Sequence, residues 1–180
     1  MSGLILVAAL ALTPIGYDAI EFYQYKAQFM PITAENVFTY DLRQPSDLSG
    51  LALTGELAGL EEAIREGQDA GVNGIFLLAV IMHESGYGTS NLARESNNLG
   101  GISDGNGGHR RFDRKSACVE YMAGLLATHY LDPEGKWYRG GTVAGVGRVY
   151  AGDPDWYKKV GAFMVKIQNE LEGLNENRYS

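Results

Sequence analysis

From about Leu51 the apolar positions of this chain recur with helical spacing. Leu57, Leu60, Ile64 and Gly67 fall on one face of a helix, and Gly71 is a natural stop. Asn73 is placed to cap a second helix, in which Ile75 to Met82 form eight consecutive apolar residues. A helix apolar on every side belongs in the middle of a core. Gly86 and Gly88 break it, and residues 97–112, with five glycines and few apolar side chains, predict a loop or a small hairpin lobe. Asp113 or Ser116 starts another helix, with Ala117, Tyr121, Leu125 and Tyr130 roughly on one side. A shorter, glycine-weakened helix follows Thr142. Asp153 as N-cap and Pro154 at the first helical position open the last helix, which buries Val160, Phe163, Ile167 and Leu171.

The first fifty residues read differently. Gly3 to Leu12 is apolar but too short to span a bilayer as a helix, and no Lys or Arg precedes it as a secretory signal would require. The expectation is a retained segment, buried or bound to a partner, in preference to an atypical signal or a membrane-active peptide. Pro14, Pro31 and Pro45 interrupt any long helix, and Tyr17, Phe22, Tyr23, Tyr25 and Phe29 make the stretch rich in aromatics. The domain reading is an apolar and aromatic extension over residues 1–50, serving as a docking arm, followed by a helical domain over residues 51–174.

Composition narrows the function. Hydrophobic residues make up 45% of the 180 and charged residues 21%, as in a globular protein. A net charge of -7 argues against nucleic acid as a partner and against simple electrostatic capture of anionic wall polymers or membrane. Cys118 is the single cysteine, which excludes an internal disulfide, and its apolar surroundings mark it as a core residue. His83, His109 and His129 have no metal-ligand spacing, so neither a metal nor another cofactor is expected.

Chemistry concentrates where the buried helix ends, at His83-Glu84-Ser85-Gly86-Tyr87-Gly88-Thr89-Ser90. A carboxylate after an apolar run, near the negative end of a helix dipole, is disfavoured in its ionised form. Such a group suits the acid that protonates the leaving oxygen of a sugar. A surface glutamate at a frayed helix end has the same spacing, so position alone leaves both readings open. His83, a quarter-turn away, is a poor partner for Glu84.

The stretch NGIFLLAVIMHESGYGTSNLARESNNLGGI, residues 73–102, resembles the signature of the bacterial and phage glucosaminidases, family 73 of the glycoside hydrolases. RRFDRKSACVEYM, HYLDPEGKWYRGGTV and RVYAGDPDWYKKV follow in the same order, the last similar to the family's Tyr-Ala-x-Asp-Pro-x-Trp/Tyr block. The likeness covers roughly residues 51–170. It implies a mainly α, lysozyme-like fold: a helical lobe, a small glycine-rich second lobe, and a groove between them for a glycan. It implies a peptidoglycan hydrolase with Glu84 as general acid and Tyr150 opposite it, orienting a water or the N-acetyl group of the cleaved sugar. Tyr150 as a core aromatic is the alternative. Tyr87 and Trp156 are candidates to stack on sugar rings, although Trp156 could equally anchor the last helix. Asn98 could bond an acetamido group or merely hold the turn into the second lobe.

One departure matters. Many family members carry a longer second lobe with another acidic residue, whereas between Asn98 and Phe112 this chain offers only Asp104. Flanked by Gly105, Gly107 and Gly108, Asp104 suits a mobile catalytic loop or, more simply, an Asp-Gly turn. The basic cluster of His109, Arg110, Arg111, Arg114 and Lys115 could meet peptidoglycan carboxylates or stand as a solvated hairpin. The expected function is cleavage of the β-1,4 bond between N-acetylglucosamine and N-acetylmuramic acid at the bacterial cell wall, by a phage lysin or virion-associated protein rather than a secreted autolysin. The extension would dock other virion or wall-lysis proteins. Alternatives are a lytic transglycosylase or muramidase on the same scaffold, whose usual Gly-Leu-Met-Gln segment is replaced here by Asn-Asn-Leu-Gly-Gly-Ile, or a catalytically silent structural virion protein.

Overall fold

The computed structural model of the chain describes residues 29–178. Among these it is mainly helical: α1 (Glu61–Asp69), α2 (Gly74–Ser85), α3 (Asn91–Ser96), α4 (Lys115–Leu125), α5 (Val143–Tyr150) and α6 (Trp156–Arg178). This is the expected helical, lysozyme-like lobe. None of the described helices is long and apolar enough to cross a membrane.

The centre is α2. Asn73 accepts a hydrogen bond from the Phe76 amide on its side chain (2.9 Å) and so closes the open N-terminus of the helix. From Gly74 to Ile81 every residue is buried, as the unbroken apolar run predicts. Helices α1 and α6 pack against α2, α4 packs on α1, and α5 on α6. Gly67 permits the closest of these approaches: a Cβ there would meet the Leu77 Cδ2 at 2.5 Å and the Ala123 Cβ at 3.1 Å. On α6 the buried stripe is Trp156, Val160, Met164, Ile167 and Leu171, while Phe163 is only half-buried. The helix begins three residues after Asp153, whose carboxylate closes a turn by accepting the Asp155 amide at 2.9 Å.

Two expectations change. On α4 the buried side is Cys118, Val119, Met122 and Ala123, and Tyr121 lies outside under the Arg110 guanidinium, 4.5 Å from its ring centroid. Contact with α1 and Leu99 selects that face over the one marked by Tyr121. The end of α4 also widens into a π-helical turn, Leu126–Leu131, which presents His129 and Tyr130 to Trp137, at ring distances of 5.1 and 5.2 Å.

The extension expected over residues 1–50 does not stand apart over its described half. Ile32, Val37, Tyr40, Leu42 and Leu48 are buried in the same core as α2 and α6. The Leu42 amide donates to the Gly141 carbonyl (2.8 Å), and the Leu42 carbonyl accepts the Asn73 amide (2.7 Å). Gln68 holds Ser46 through both backbone and hydroxyl bonds. These side chains lack the spacing of a helix, so a pattern search passes over them. The apolar run Gly3 to Leu12 and the aromatics up to Tyr25 lie outside the described residues.

Candidate active site

The turn after α2 shows why this local sequence takes its shape. The Ser85 hydroxyl donates to the Ile81 carbonyl (2.6 Å) and accepts the Gly88 amide (2.7 Å), tying helix end to turn. Thr89 donates to the Gly86 carbonyl, and Ser90 caps α3 by accepting the Ala93 amide. Gly86, Tyr87 and Gly88 all have positive φ, at 56°, 60° and 79°. For a tyrosine this costs about 1 kcal/mol. The reversal leaves Glu84 half-buried on the last turn of α2.

Glu84 meets the far end of the chain. The buried Trp156 indole Nε1 donates to Glu84 Oε1 at 2.7 Å. Tyr150 packs on the same indole, ring centroids 4.8 Å apart and 30° from parallel. Tyr130 lies 5.4 Å from the Tyr150 ring, extending the wall to Trp137. Burial, with the neighbouring Glu84 charge second, pushes the Tyr150 phenol well above its ordinary value. Tyr150 therefore stays a neutral hydrogen-bond donor throughout the physiological range.

The structure thus brings Glu84, Tyr150 and Trp156 together. Trp156 is 1% exposed, which leaves no face for a sugar and makes it both the anchor of α6 and the partner of Glu84. That partnership was not read from the sequence, although the Asp-Pro-x-Trp/Tyr block singled out the position. Tyr87 is 42% exposed, three residues beyond Glu84, with Phe163 edge-on at 5.6 Å.

Asn98 and Asp104 are engaged elsewhere. Buried Asn98 donates to the Ile102 and Arg110 carbonyls (2.9 and 2.8 Å) and accepts the Ile102 and Gly100 amides, which fills its capacity in holding the small lobe. That lobe is a short hairpin with one antiparallel bridge, Ser103 to His109. At its tip Asp104 accepts the Asn106 and Gly108 amides (2.8 and 2.9 Å), and these bonds hold its carboxyl below the usual range. In the basic cluster, Lys115 pairs with Glu56 and Arg114 with Glu120. Among the described residues no three His, Cys, Asp or Glu side chains gather as a metal site.

Residues 60–169 match the glucosaminidase family, described as mannosyl-glycoprotein endo-beta-N-acetylglucosaminidase. Two proteins from two strains of Streptococcus pneumoniae, each named "Putative endo-beta-N-acetylglucosaminidase", are similar, both 29% identical over 106 residues. The similarity takes in 57% of this chain but only 16% and 15% of the length of those relatives. With more than half of its length matched, and Glu84, Tyr150 and Trp156 all within the matched part, the chain belongs to the glucosaminidase family.

Proposed function

We propose that this chain hydrolyses bacterial peptidoglycan at the β-1,4 bond between N-acetylglucosamine and N-acetylmuramic acid, with Glu84 as general acid. The observation that carries the reading is the held carboxylate at the end of the apolar helix: Trp156 fixes Oε1, which leaves Oε2 to carry the transferable proton. Family membership and the names of the pneumococcal proteins support the bond type.

The route has one protein acid. The acetamido oxygen of N-acetylglucosamine attacks C1 as the C1–O4 bond breaks, and Glu84 gives its proton to the departing O4 of N-acetylmuramic acid. Water then attacks C1, returning the acetamide, and its proton goes to the Glu84 carboxylate. Tyr150 orients the acetamide. Asp104, whose carboxylate is occupied by its own turn, takes no part, in keeping with a substrate-supplied nucleophile. The setting we favour is a phage lysin or virion-associated protein, the apolar and aromatic N-terminal run acting as docking element; recovery of the chain in purified virions tests this.

Digestion of purified peptidoglycan followed by borohydride reduction and mass analysis tests the reaction. Released strands should end in N-acetylglucosaminitol. N-acetylmuramitol ends would reveal a muramidase, non-reducible anhydro ends a lytic transglycosylase, and no release a silent protein.

A further inference from the structure

Tyr87 occupies a backbone position that glycine would fill with less strain. At φ 60° between two positive-φ glycines, the fold nevertheless places an aromatic ring there, 42% exposed. The ring is supported from below. Phe163 meets it at 5.6 Å and 69°, and the Lys166 Nζ lies 3.5 Å from its hydroxyl and 5.6 Å from its centroid. Beside it runs an open depression of about 340 Å³ lined by His83, Lys159, Ala162, Phe163 and Lys166. Its floor is apolar and its rim is cationic, on a chain of net charge -7. Lys159 is already neutralised by Asp153 at 2.6 Å. Lys166 has only a loose contact with Glu170, at 3.8 Å, which leaves it able to meet an incoming anion. His83 connects this face directly to Glu84 along α2, and its ring lies 6.1 Å from Phe163.

We propose that Tyr87, Phe163 and Lys166 form a subsite for a carboxylate-bearing sugar of the glycan strand, resting on the peptidoglycan reading above. The Tyr87 ring stacks on the pyranose face, Phe163 fixes that ring in place, and the Lys166 ammonium pairs with the carboxylate. The carboxylate belongs to the lactyl group of muramic acid or to its stem peptide; both present the same anion to Lys166. A polymer of N-acetylglucosamine alone offers the sugar face without the anion, so this subsite discriminates wall glycan from chitin-like chains.

The test measures binding with the full chain carrying Glu84→Gln, so that ligands stay uncut. Three probes are titrated: an N-acetylglucosamine oligosaccharide, a peptide-free wall glycan fragment with lactyl carboxylates, and a peptide-bearing muropeptide of equal length. Adding Lys166→Gln should weaken at least one of the two carboxylate-bearing probes about three- to fivefold and leave the oligosaccharide unchanged. An effect confined to the peptide-free fragment assigns the carboxylate to the lactyl group, whose carboxyl becomes an amide once a stem peptide is attached, and one confined to the muropeptide assigns it to the stem peptide. Tyr87→Gly should weaken all three about five- to tenfold with no loss of melting temperature, because relief of backbone strain offsets the lost ring contact. Equal effects of Lys166→Gln on every probe, no effect of either substitution, or no binding by the parent chain overturns the subsite. Wall digestion by the unsubstituted chain is scored separately: release of reducible N-acetylglucosamine ends with no Lys166 effect rejects the subsite alone, and absence of release rejects the reaction itself.

Discussion

The Trp156 indole donates to the Glu84 carboxylate at 2.7 Å, joining residues 72 positions apart. The donor arrives at the first residue of α6 and the acceptor on the last turn of α2, two helices that share the most extensive contact among the described elements. Trp156→Phe keeps an aromatic ring in the core and deletes the N–H. A hydrogen bond to a charged group contributes about 1.5–3 kcal/mol, so kcat should fall about ten- to a hundredfold if the bond orients the acid in the transition state. KM should hardly move, since Trp156 does not face substrate. Unchanged kcat in a folded Trp156→Phe chain would return the tryptophan to a purely structural role.

Glu84→Gln and Asp104→Asn separate the one-acid route from a two-carboxylate one. Glutamine preserves shape and loses the proton, so muropeptide release should drop by several orders of magnitude. Asp104→Asn keeps an oxygen that can accept the Asn106 and Gly108 amides and should retain at least about a tenth of the rate. Equal, severe losses in both variants would make Asp104 a base or nucleophile.

Alkaline pH should destabilise the fold. Burial raises the phenols of Tyr40, Tyr130 and Tyr150 above their ordinary 10.0. Above that value the unfolded chain gives up protons that the native state retains, so stability is complete below about pH 10 and falls as pH rises further. Denaturant midpoints from about pH 8 to about pH 11 should show the decline, and Tyr150→Phe should reduce it. A flat profile would mean these hydroxyls ionise freely in the native protein. In wall digestion Tyr150→Phe should cost less than Glu84→Gln, because it deletes one hydroxyl and no transferred proton.

Leu42→Ala tests whether residues 29–50 belong to the domain. Leu42 is wholly buried, and truncation of such a side chain costs about 2–5 kcal/mol. Chemical denaturation should show a loss in that range. A change below about 0.5 kcal/mol, the scale of an ordinary surface substitution, would restore the picture of a detachable arm.

What the sequence disclosed follows from how locally each feature is encoded. The apolar run Ile75 to Met82, the cap at Asn73 and the start of α5 at Thr142 rest on residues within a few positions of one another, and all are found in place. Glu84 and Tyr150 were legible through ordered motifs, and their convergence on one indole is a fact of the structure. The bond from Trp156 was not legible, because it depends on the register between α2 and α6, which neither helix specifies alone. The burial of residues 32–48 is illegible for a related reason: it comes from irregular chain held by distant backbone groups, and irregular chain has no period to detect. Asn98 and Asp104 show the reverse case, polar side chains that look available in sequence and prove to be closing their own loop.

Leu42 has a further consequence, set by helix length. Its amide and carbonyl join Gly141 and Asn73, the residues just before α5 and α2, and those helices end at Tyr150 and beside Glu84. At 1.5 Å per residue the two rods extend about 12 and 16 Å from that clamp to the phenol and the carboxyl. Like the pivot of a pair of tongs, the clamp lies a helix length from both tips, which Trp156 bridges. In the reaction proposed above, divergence at residues 41–43 among related chains would therefore bear on the spacing of Glu84 and Tyr150, with both side chains left as they are.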